Sequence, residues 1–139
     1  MPTDIPPAVR SLLEGPNFVH LATVDPHGVP QSMAVWVGME GDHVLVCTGA
    51  TTKKARNAAH NPHVAMSVSN HENPYETASL RGTMIEIRND DDLADMDPIS
   101  MVYIGKPFPY RAPGRVTLVI AIDAVRHGTL PFEHTPGVS

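Results

Sequence analysis

Apolar and polar residues follow the patterns of β-strands along six stretches of the chain. Some of these stretches alternate, as in a strand with one buried face, and the last one is rich in β-branched residues. In one of them Met33 and Val35 share a face, while Ser32 and Ala34 share the other. The links between the stretches are mostly short and carry proline, glycine or aspartate, which favours hairpins and an antiparallel sheet. The six predicted strands cover residues 18–24, 30–37, 43–48, 64–69, 75–88 and 115–125.

Three other stretches have the apolar spacing of short helices. Residues 6–14 are predicted as an opening helix, which the following Gly-Pro pair ends. Within residues 49–60 the period changes from two to 3.6, with Thr51 or Thr52 available as the N-cap. Residues 91–105 are predicted as a third helix, because aspartates in its first turn would complement the helix dipole.

These elements predict one mainly β domain of the α+β class over residues 1–139. Closing six antiparallel strands into a small barrel removes exposed sheet edges, whereas a parallel sheet would need longer links. Gly82 interrupts the long fifth strand and predicts a bend or bulge there. Residues 131–139 lack a periodic apolar pattern, so we expect either a loose tail or an arm that covers a partner.

Composition argues against a nucleic-acid partner and for a reducing compartment. The net charge of −5 does not provide the broadly basic face of a nucleic-acid-binding domain. The single cysteine, Cys47, cannot form an intramolecular disulfide, and we expect it to pack as a small hydrophobic residue. The chain start has no signal-peptide pattern, and no run approaches the roughly 20 apolar residues of a membrane helix. We therefore expect a cytoplasmic protein without a membrane or nucleic-acid partner.

Positive charge is concentrated in one segment, although the chain as a whole is acidic. Between His43 and His71 there is no Asp or Glu, and this window contains Lys53, Lys54 and Arg56. A locally basic segment in an acidic protein suits a small anionic ligand. A solvated basic helix face is the alternative interpretation, since such clusters are common.

The same segment has the ingredients of a phosphate site. A helix that begins near Thr51 and Thr52 offers free backbone N–H groups and the positive end of its dipole. Lys54 and Arg56 would add charge-assisted hydrogen bonds. Neither GxxxxGK[ST] nor GxGxxG occurs in the chain, so the hypothesis is a helix-start anion site rather than a nucleotide-binding loop.

The remaining reactive residues have structural interpretations. His60 and His63 have no cysteine or carboxylate at ligand spacing, so we expect no metal site. Trp36 is expected in the core or in a dimer interface. The aspartates within residues 90–97 are expected to form a solvated helix start. Residues 110–111, in a proline-rich loop, are either a lid over the substrate or an ordinary surface turn.

A series of motifs along the chain resembles one known superfamily. GVPQSMAVW at residues 28–36 is followed by VCTG at 46–49, KARN at 54–57 and NPHVAM at 61–66. YET, RGT and YIGKP follow at residues 75–77, 81–83 and 103–107. In order and spacing the chain resembles the pyridoxamine 5′-phosphate oxidase-like superfamily, and within it the short coenzyme F420-dependent flavin/deazaflavin oxidoreductases of group B.

The resemblance implies an FMN-binding split-barrel fold, assembled as a homodimer with cofactor sites in grooves between the subunits. It places Lys54 and Arg56 at the cofactor phosphate, with Lys53 as an extra basic group and Asn57 supporting the helix start. Further matching positions are Thr48 and Thr51 beside the phosphate, Gln31, Met33 and Val35 beneath the ring, and Tyr75 as an aromatic contact from the second subunit.

The activity that the resemblance implies is hydride transfer from C5 of reduced coenzyme F420 to a small organic acceptor. FMN is the alternative cofactor, and a non-catalytic carrier of either cofactor or a plain structural barrel are the alternatives from other classes. The polyglutamate tail of F420 rewards extra basic groups, so Lys53 favours F420. The proton donor to the substrate is left open among Tyr103, Lys106, Arg111 and water.

One activity of the superfamily is not expected. The Arg-Trp-Arg ending and the paired arginine-lysine motif of true pyridoxamine phosphate oxidases are absent from this sequence. We therefore do not expect vitamin B6 oxidation.

Overall fold

Seven antiparallel strands and three short helices make up residues 3–137, the part of the chain that the computed structural model describes. In chain order they are α1 (Pro7–Glu14), β1 (Val19–Val24), β2 (Pro30–Val35), β3 (Gly38–Glu40), β4 (His43–Gly49), α2 (Lys53–His60), β5 (His63–Ser69), β6 (Glu76–Asn89), α3 (Met96–Ile104) and β7 (Arg115–Thr129). None of the helices between residues 3 and 137 has the length and apolar character needed to span a membrane. Val138 and Ser139, the end of the predicted tail, lie outside the described residues.

The strands form one sheet whose order explains the barrel. The order is β2-β1-β5-β6-β7-β4-β3, so β2 and β3 lie at opposite edges. Only Trp36 and Val37 separate these two strands in sequence. A link of this length spans at most about 11 Å, so the two edges must approach each other and the sheet must curl. The predicted mainly β, antiparallel split barrel is confirmed.

The number of strands differs from the predicted six. The stretch predicted over residues 30–37 ends at Val35, and Gly38–Glu40 forms a separate strand that pairs with β4 instead of β1. Between them the backbone N–H of Val37 donates to the hydroxyl of Tyr103 at 3.2 Å. A Cβ at Gly38 would lie 2.7 Å from Ile99, so glycine allows α3 to pack where the chain changes partners.

The predicted helix over residues 91–105 begins later, at Met96. Both carboxylate oxygens of Asp90 accept backbone N–H groups, from Asp95 at 2.8 Å and from Met96 at 3.1 Å. Leu93 adopts a left-handed conformation with φ of 61° and is buried. The expectation of a solvated run is therefore wrong for Asp90, which is only 1% exposed and accepts backbone N–H groups ahead of α3, whereas Asp91 and Asp92 are exposed.

The core fills the barrel with the inward-facing side chains of every long strand, and α1 closes one side. Val9 and Leu13 of α1 are fully buried. The predicted bulge in β6 is confirmed, since the register against β7 shifts between Arg81 and Gly82. Strand β7 runs on to Thr129, beyond the predicted end at residue 125, because it stays paired with β6 as far as Glu76.

Candidate functional site

A groove of about 350 Å³ lies between β2, β4, the start of α2 and the start of β7. It joins two cationic side chains to a mainly apolar and aromatic wall, and no Asp or Glu lines it. The lining residues are Phe18, Ala34, Val35, Trp36, Cys47, Thr48, Lys54, Met96, Phe108 and Arg115. Such a combination suits a flat apolar ligand that carries one anionic group.

A larger groove of about 570 Å³ lies between α1, β3 and α3. Its charged residues are already paired with one another or with neighbours. Arg10 forms an ion pair with Asp42 and lies 3.8 Å from Glu14, while Glu40 accepts hydrogen bonds from Arg88. Within residues 3–137, this groove therefore offers an anionic ligand no unpaired cation, and the smaller groove is the better candidate for such a ligand.

The start of α2 forms the cationic end of the smaller groove. Thr52 occupies the N-cap position, but its hydroxyl donates to the carbonyl of Gly49 at 3.0 Å and does not cap the helix. The hydroxyl oxygens of Thr48 and Thr52 lie 3.0 Å apart. Because the single hydroxyl proton of Thr52 is used on Gly49, Thr48 is the donor in the hydrogen bond between the two threonines. The first-turn N–H groups of α2 have no side-chain cap, so they remain available to an anion.

Lys54 is partly buried in the groove wall and has no acidic partner among the described residues. Burial, and secondarily the positive charge of Arg115, lower the pKa of Lys54 from its usual value. Both effects disfavour the charged form. An anion placed beside the ammonium group would reverse this penalty.

Arg115 is a site residue that the sequence analysis did not single out. It begins β7, directly after the proline-rich loop, and its place in the sequence indicates only the start of a strand. Its Nε atom is buried without a hydrogen-bond partner, and its guanidinium carbon lies 5.1 Å from the centre of the Phe108 ring. Asp91 accepts the backbone N–H groups of Gly114 and Arg115 at 2.7 and 2.8 Å. The strand start is thus fixed, with its guanidinium facing the groove.

An aromatic cluster forms the opposite wall. Trp36 stacks on Tyr103 with ring centres 5.1 Å apart and an interplanar angle of 10°, and meets the edge of Phe108 at 6.2 Å. The Tyr103 hydroxyl donates to the carbonyl of Asn17 at 2.7 Å, and burial raises its pKa. Tyr103 therefore holds the wall in place, and its proton is committed to a backbone oxygen.

The thiol of Cys47 also lines the groove but is not a reactive group. Burial raises the pKa of Cys47 to about 12, although its contact with the Thr117 hydroxyl acts in the opposite direction. The expectation that it packs as a small apolar residue agrees with this environment. Within residues 3–137, no three His, Cys, Asp or Glu side chains are arranged to hold a metal ion.

Of the ten residues predicted for the cofactor site, Val35, Thr48 and Lys54 lie together in the groove. Thr51 is exposed in the turn that leads into α2. Gln31 and Met33 lie on the same face of β2 as Val35, since their neighbours on β1 are Thr23 and Leu21. Their environments differ, because Gln31 Oε1 is buried without a partner, whereas Met33 is 49% exposed.

Three predicted residues on α2 lie outside the groove. Lys53 and Arg56 are exposed, and no ion pair holds either of them within residues 3–137. Asn57 is 4% exposed, and its side-chain amide donates to the Thr23 hydroxyl at 3.1 Å. It therefore holds α2 against β1 rather than supporting the helix start.

Tyr75 does not line the groove. It precedes β6, next to the end of β7 opposite Arg115, and its carbonyl accepts a hydrogen bond from the backbone of Leu130. Its ring meets the edges of Phe132 and His134 at 5.3 and 6.3 Å. The start of the predicted tail is thus anchored here, although residues 130–137 are exposed.

Comparison with known proteins gives the family and three similar structures. A family model for pyridoxamine 5′-phosphate oxidase matches residues 5–127. A solved F420 reductase is 34% identical, with 88% of this chain and 98% of that chain covered and a TM-score of 0.78. No curated protein sequence matches the chain.

Two more distant structures share the fold. The conserved hypothetical protein Rv2991 from Mycobacterium tuberculosis is 17% identical, with 98% of this chain and 94% of that chain covered and a TM-score of 0.72. A pyridoxamine 5′-phosphate oxidase-related, FMN-binding protein from Nostoc punctiforme PCC 73102 is 20% identical, with coverages of 89% and 79% and a TM-score of 0.62. With the barrel topology and the match over residues 5–127, these findings confirm the resemblance. The chain belongs to the pyridoxamine 5′-phosphate oxidase-like split-barrel family.

Proposed function

We propose that this protein is an oxidoreductase that binds reduced coenzyme F420 in the groove beside α2 and passes a hydride to a small organic acceptor. The observation that carries the proposal is the pairing of unneutralised cations, Lys54 and Arg115, with an apolar and aromatic wall. The 34% identity to an F420 reductase over most of both chains supports the choice of cofactor.

The residues of the groove fit a ring that carries a phosphate. One buried side-chain polar atom of the groove, Arg115 Nε, has no hydrogen-bond partner among the described residues. A ligand with an oxyanion on its chain would satisfy this atom. Val35 and Trp36 supply apolar surface for the ring, and the open first turn of α2 suits the phosphate.

The exposed cations of α2 favour F420 over FMN. The phosphate of F420 is followed by a polyglutamate tail, which FMN lacks. Lys53 and Arg56 are exposed on α2, the helix whose first turn borders the groove, so a tail that follows this helix would meet positive charge. This is the reason for placing F420 before FMN, which remains the alternative cofactor in the same groove.

The protein's contribution to the chemistry is binding, orientation and exclusion of water. Reduced F420, when bound, supplies a hydride from its C5 atom. Two of the three side chains considered as proton donors are held by structural partners. The Tyr103 proton is committed to the Asn17 carbonyl, and Arg111 is paired with Asp97 at 3.0 Å. Lys106, which is exposed, and water remain as proton sources.

Side-by-side titration with F420 and FMN tests the cofactor, and consumption of reduced F420 with quinones, enones and other acceptors tests turnover. We expect the double variant Lys53→Ala, Arg56→Ala to bind F420 less tightly and FMN unchanged. Binding of FMN without F420 would replace the proposal by the FMN alternative. Tight F420 binding with no acceptor reduced would identify a carrier, and failure to bind either cofactor would leave a structural barrel.

We also propose that the protein is a homodimer whose partner subunit completes the groove. Large apolar side chains are exposed in several places, including Met33 on β2, Ile85 on β6 and Met101 on α3. Tyr75 cannot reach the groove of its own protomer, so it can meet the cofactor only from a partner. Light scattering with size-exclusion chromatography tests the dimer. In a dimer, Tyr75→Ala should weaken cofactor binding, and unchanged binding would contradict that role.

A further inference from the structure

The groove contains two positive charges that no residue of the described chain neutralises. Arg10, Arg88 and Arg111 each form ion pairs with aspartate or glutamate. Within residues 3–137, Lys54 and Arg115 form none, although they lie close enough for the charge of Arg115 to lower the pKa of Lys54. Two like charges beside a partly buried wall oppose each other, and an anion between them would relieve this repulsion.

Three carboxylates that the fold brings close to the start of β7 cannot supply that anion, because all of them have other partners. Asp90 caps the start of α3 with both oxygens, and Asp91 accepts the backbone N–H groups of Gly114 and Arg115. Asp95 is paired with Arg88 and also accepts the hydroxyl proton of Thr117. These contacts position the Arg115 backbone, and none of them neutralises the charge of its guanidinium group.

The guanidinium group is also held in place before any ligand arrives. Phe108 lies beneath it at 5.1 Å, and the backbone N–H of Phe108 is in turn bonded to Asp97 at 3.0 Å. Its Nε–H is buried and unpaired. A guanidinium fixed in this way can donate two parallel hydrogen bonds to one oxyanion, and little side-chain entropy remains to be lost.

We propose that Arg115 and Lys54 together bind the oxyanion of the ligand in this groove, with Arg115 supplying a two-pronged contact and Lys54 a point charge. Arg115 thus takes the guanidinium role that the resemblance gave to Arg56. The inference rests on the proposed function in naming the cofactor phosphate as the source of the oxyanion. An anionic group of the substrate is the other source.

The first experiment compares FMN with riboflavin, which has the same ring and no phosphate. We expect Arg115→Gln to weaken FMN binding about 10- to 150-fold, as for loss of a charged hydrogen bond, and riboflavin binding less than about threefold. Arg126→Gln is the matched control, since it removes the same charge from an exposed position on the same strand. Equal losses for FMN and riboflavin would overturn the assignment to the phosphate.

The second experiment uses inorganic phosphate alone and a thermal melt, so it does not depend on flavin binding. We expect phosphate to raise the melting temperature of the wild type and the Arg126→Gln control, but not that of Arg115→Gln. If neither a flavin nor F420 binds, and phosphate still stabilises the wild type but not Arg115→Gln, the proposed function fails and the oxyanion site is supported. The other outcome is that Arg115→Gln binds FMN as tightly as the wild type, and that phosphate stabilises the wild type more than this variant only when both are saturated with FMN. The oxyanion then belongs to the substrate.

A third variant keeps the proposal testable if Arg115→Gln fails to fold. If Arg115→Gln does not fold, Arg115→Lys keeps the charge and loses the two-pronged geometry. We then expect an FMN affinity between those of the wild type and the Lys54→Ala, Arg115→Lys double variant. Unchanged FMN affinity together with unchanged stabilisation by phosphate, in either Arg115 variant, would overturn the proposal.

Discussion

Gly82 is the position where adding a single carbon should disturb the barrel most clearly. It is buried in β6 at the point where the register against β7 shifts. A Cβ added there would lie 2.7 Å from the carbonyl oxygen of Ala121 and 2.7 Å from Cγ2 of Ile120. The first of these atoms belongs to the backbone of the neighbouring strand, so the clash cannot be relieved by a side-chain rotation alone.

The expected cost of Gly82→Ala follows from overpacking. Forcing an extra methyl group into a well-packed core costs about 1–3 kcal/mol. In a chain of this size, each kcal/mol lowers the melting temperature by roughly 3–5 °C. The gain from restricting the unfolded chain, about 0.4–1 kcal/mol for Gly→Ala, offsets only part of this cost. We therefore expect Gly82→Ala to melt several degrees below the wild type.

Gly128→Ala is the matched control for this experiment. Gly128 lies on β7, has no positive φ, and a Cβ there would meet nothing within 4 Å. Urea unfolding, followed by circular dichroism at one protein concentration, compares the two variants with the wild type. The reasoning would be refuted if Gly82→Ala unfolded within about 0.5 kcal/mol of the wild type, a change typical of surface sites, or if Gly128→Ala were equally destabilised.

Three further predictions concern titratable groups. Hydrogen bonds from Arg111 hold the pKa of Asp97 below its usual value. The stability that this carboxylate adds to the folded protein is therefore complete above about pH 4 and is lost as pH falls through the lowered pKa. In urea unfolding between pH 5 and 2, Arg111→Gln should lose less stability than the wild type. Burial raises the pKa of Cys47 to about 12. A thiol reagent at pH 8 should therefore react at least about a hundred times more slowly with the native protein than with the chain in denaturant. Equal rates would show that the thiol is accessible. Affinity for FMN should fall as pH rises through the lowered pKa of Lys54, and in Arg115→Gln, measured by fluorescence titration, the fall should move to higher pH because a repelling charge has been removed.

Most of the strands, and the antiparallel arrangement that their short links favour, could be predicted from the sequence because strand patterns and turn residues are local. Alternation identifies a strand with one buried face, and glycine in a long strand indicates a bulge. The start of α3 could not be predicted in this way. Its cap is Asp90, which reaches forward to the backbone of Asp95 and Met96, while Leu93 adopts a conformation that L-residues rarely favour.

Helical geometry explains why only part of the predicted anion site lies in the groove. Successive residues of an α-helix are about 100° apart, so Lys54 and Arg56 point in nearly opposite directions. Lys54 faces the groove and Arg56 faces solvent. The second cation of the groove, Arg115, comes from a strand 61 positions later, and no local pattern connects it with α2. Only the pairing of β4 with β7, which places Thr48 opposite Val116, brings the two together.

The stacking of Trp36 on Tyr103 gives the protein an optical probe of its own. Trp36 is the only tryptophan, it lies in the two-residue link between the sheet edges, and it lines the groove. Its emission should therefore respond to two separate events. Parting of the two edges would release the indole from its stack and expose it to water. Binding of a flavin or deazaflavin ring in the groove would quench the Trp36 emission by energy transfer. Folding and ligand occupancy can therefore be followed without an attached dye.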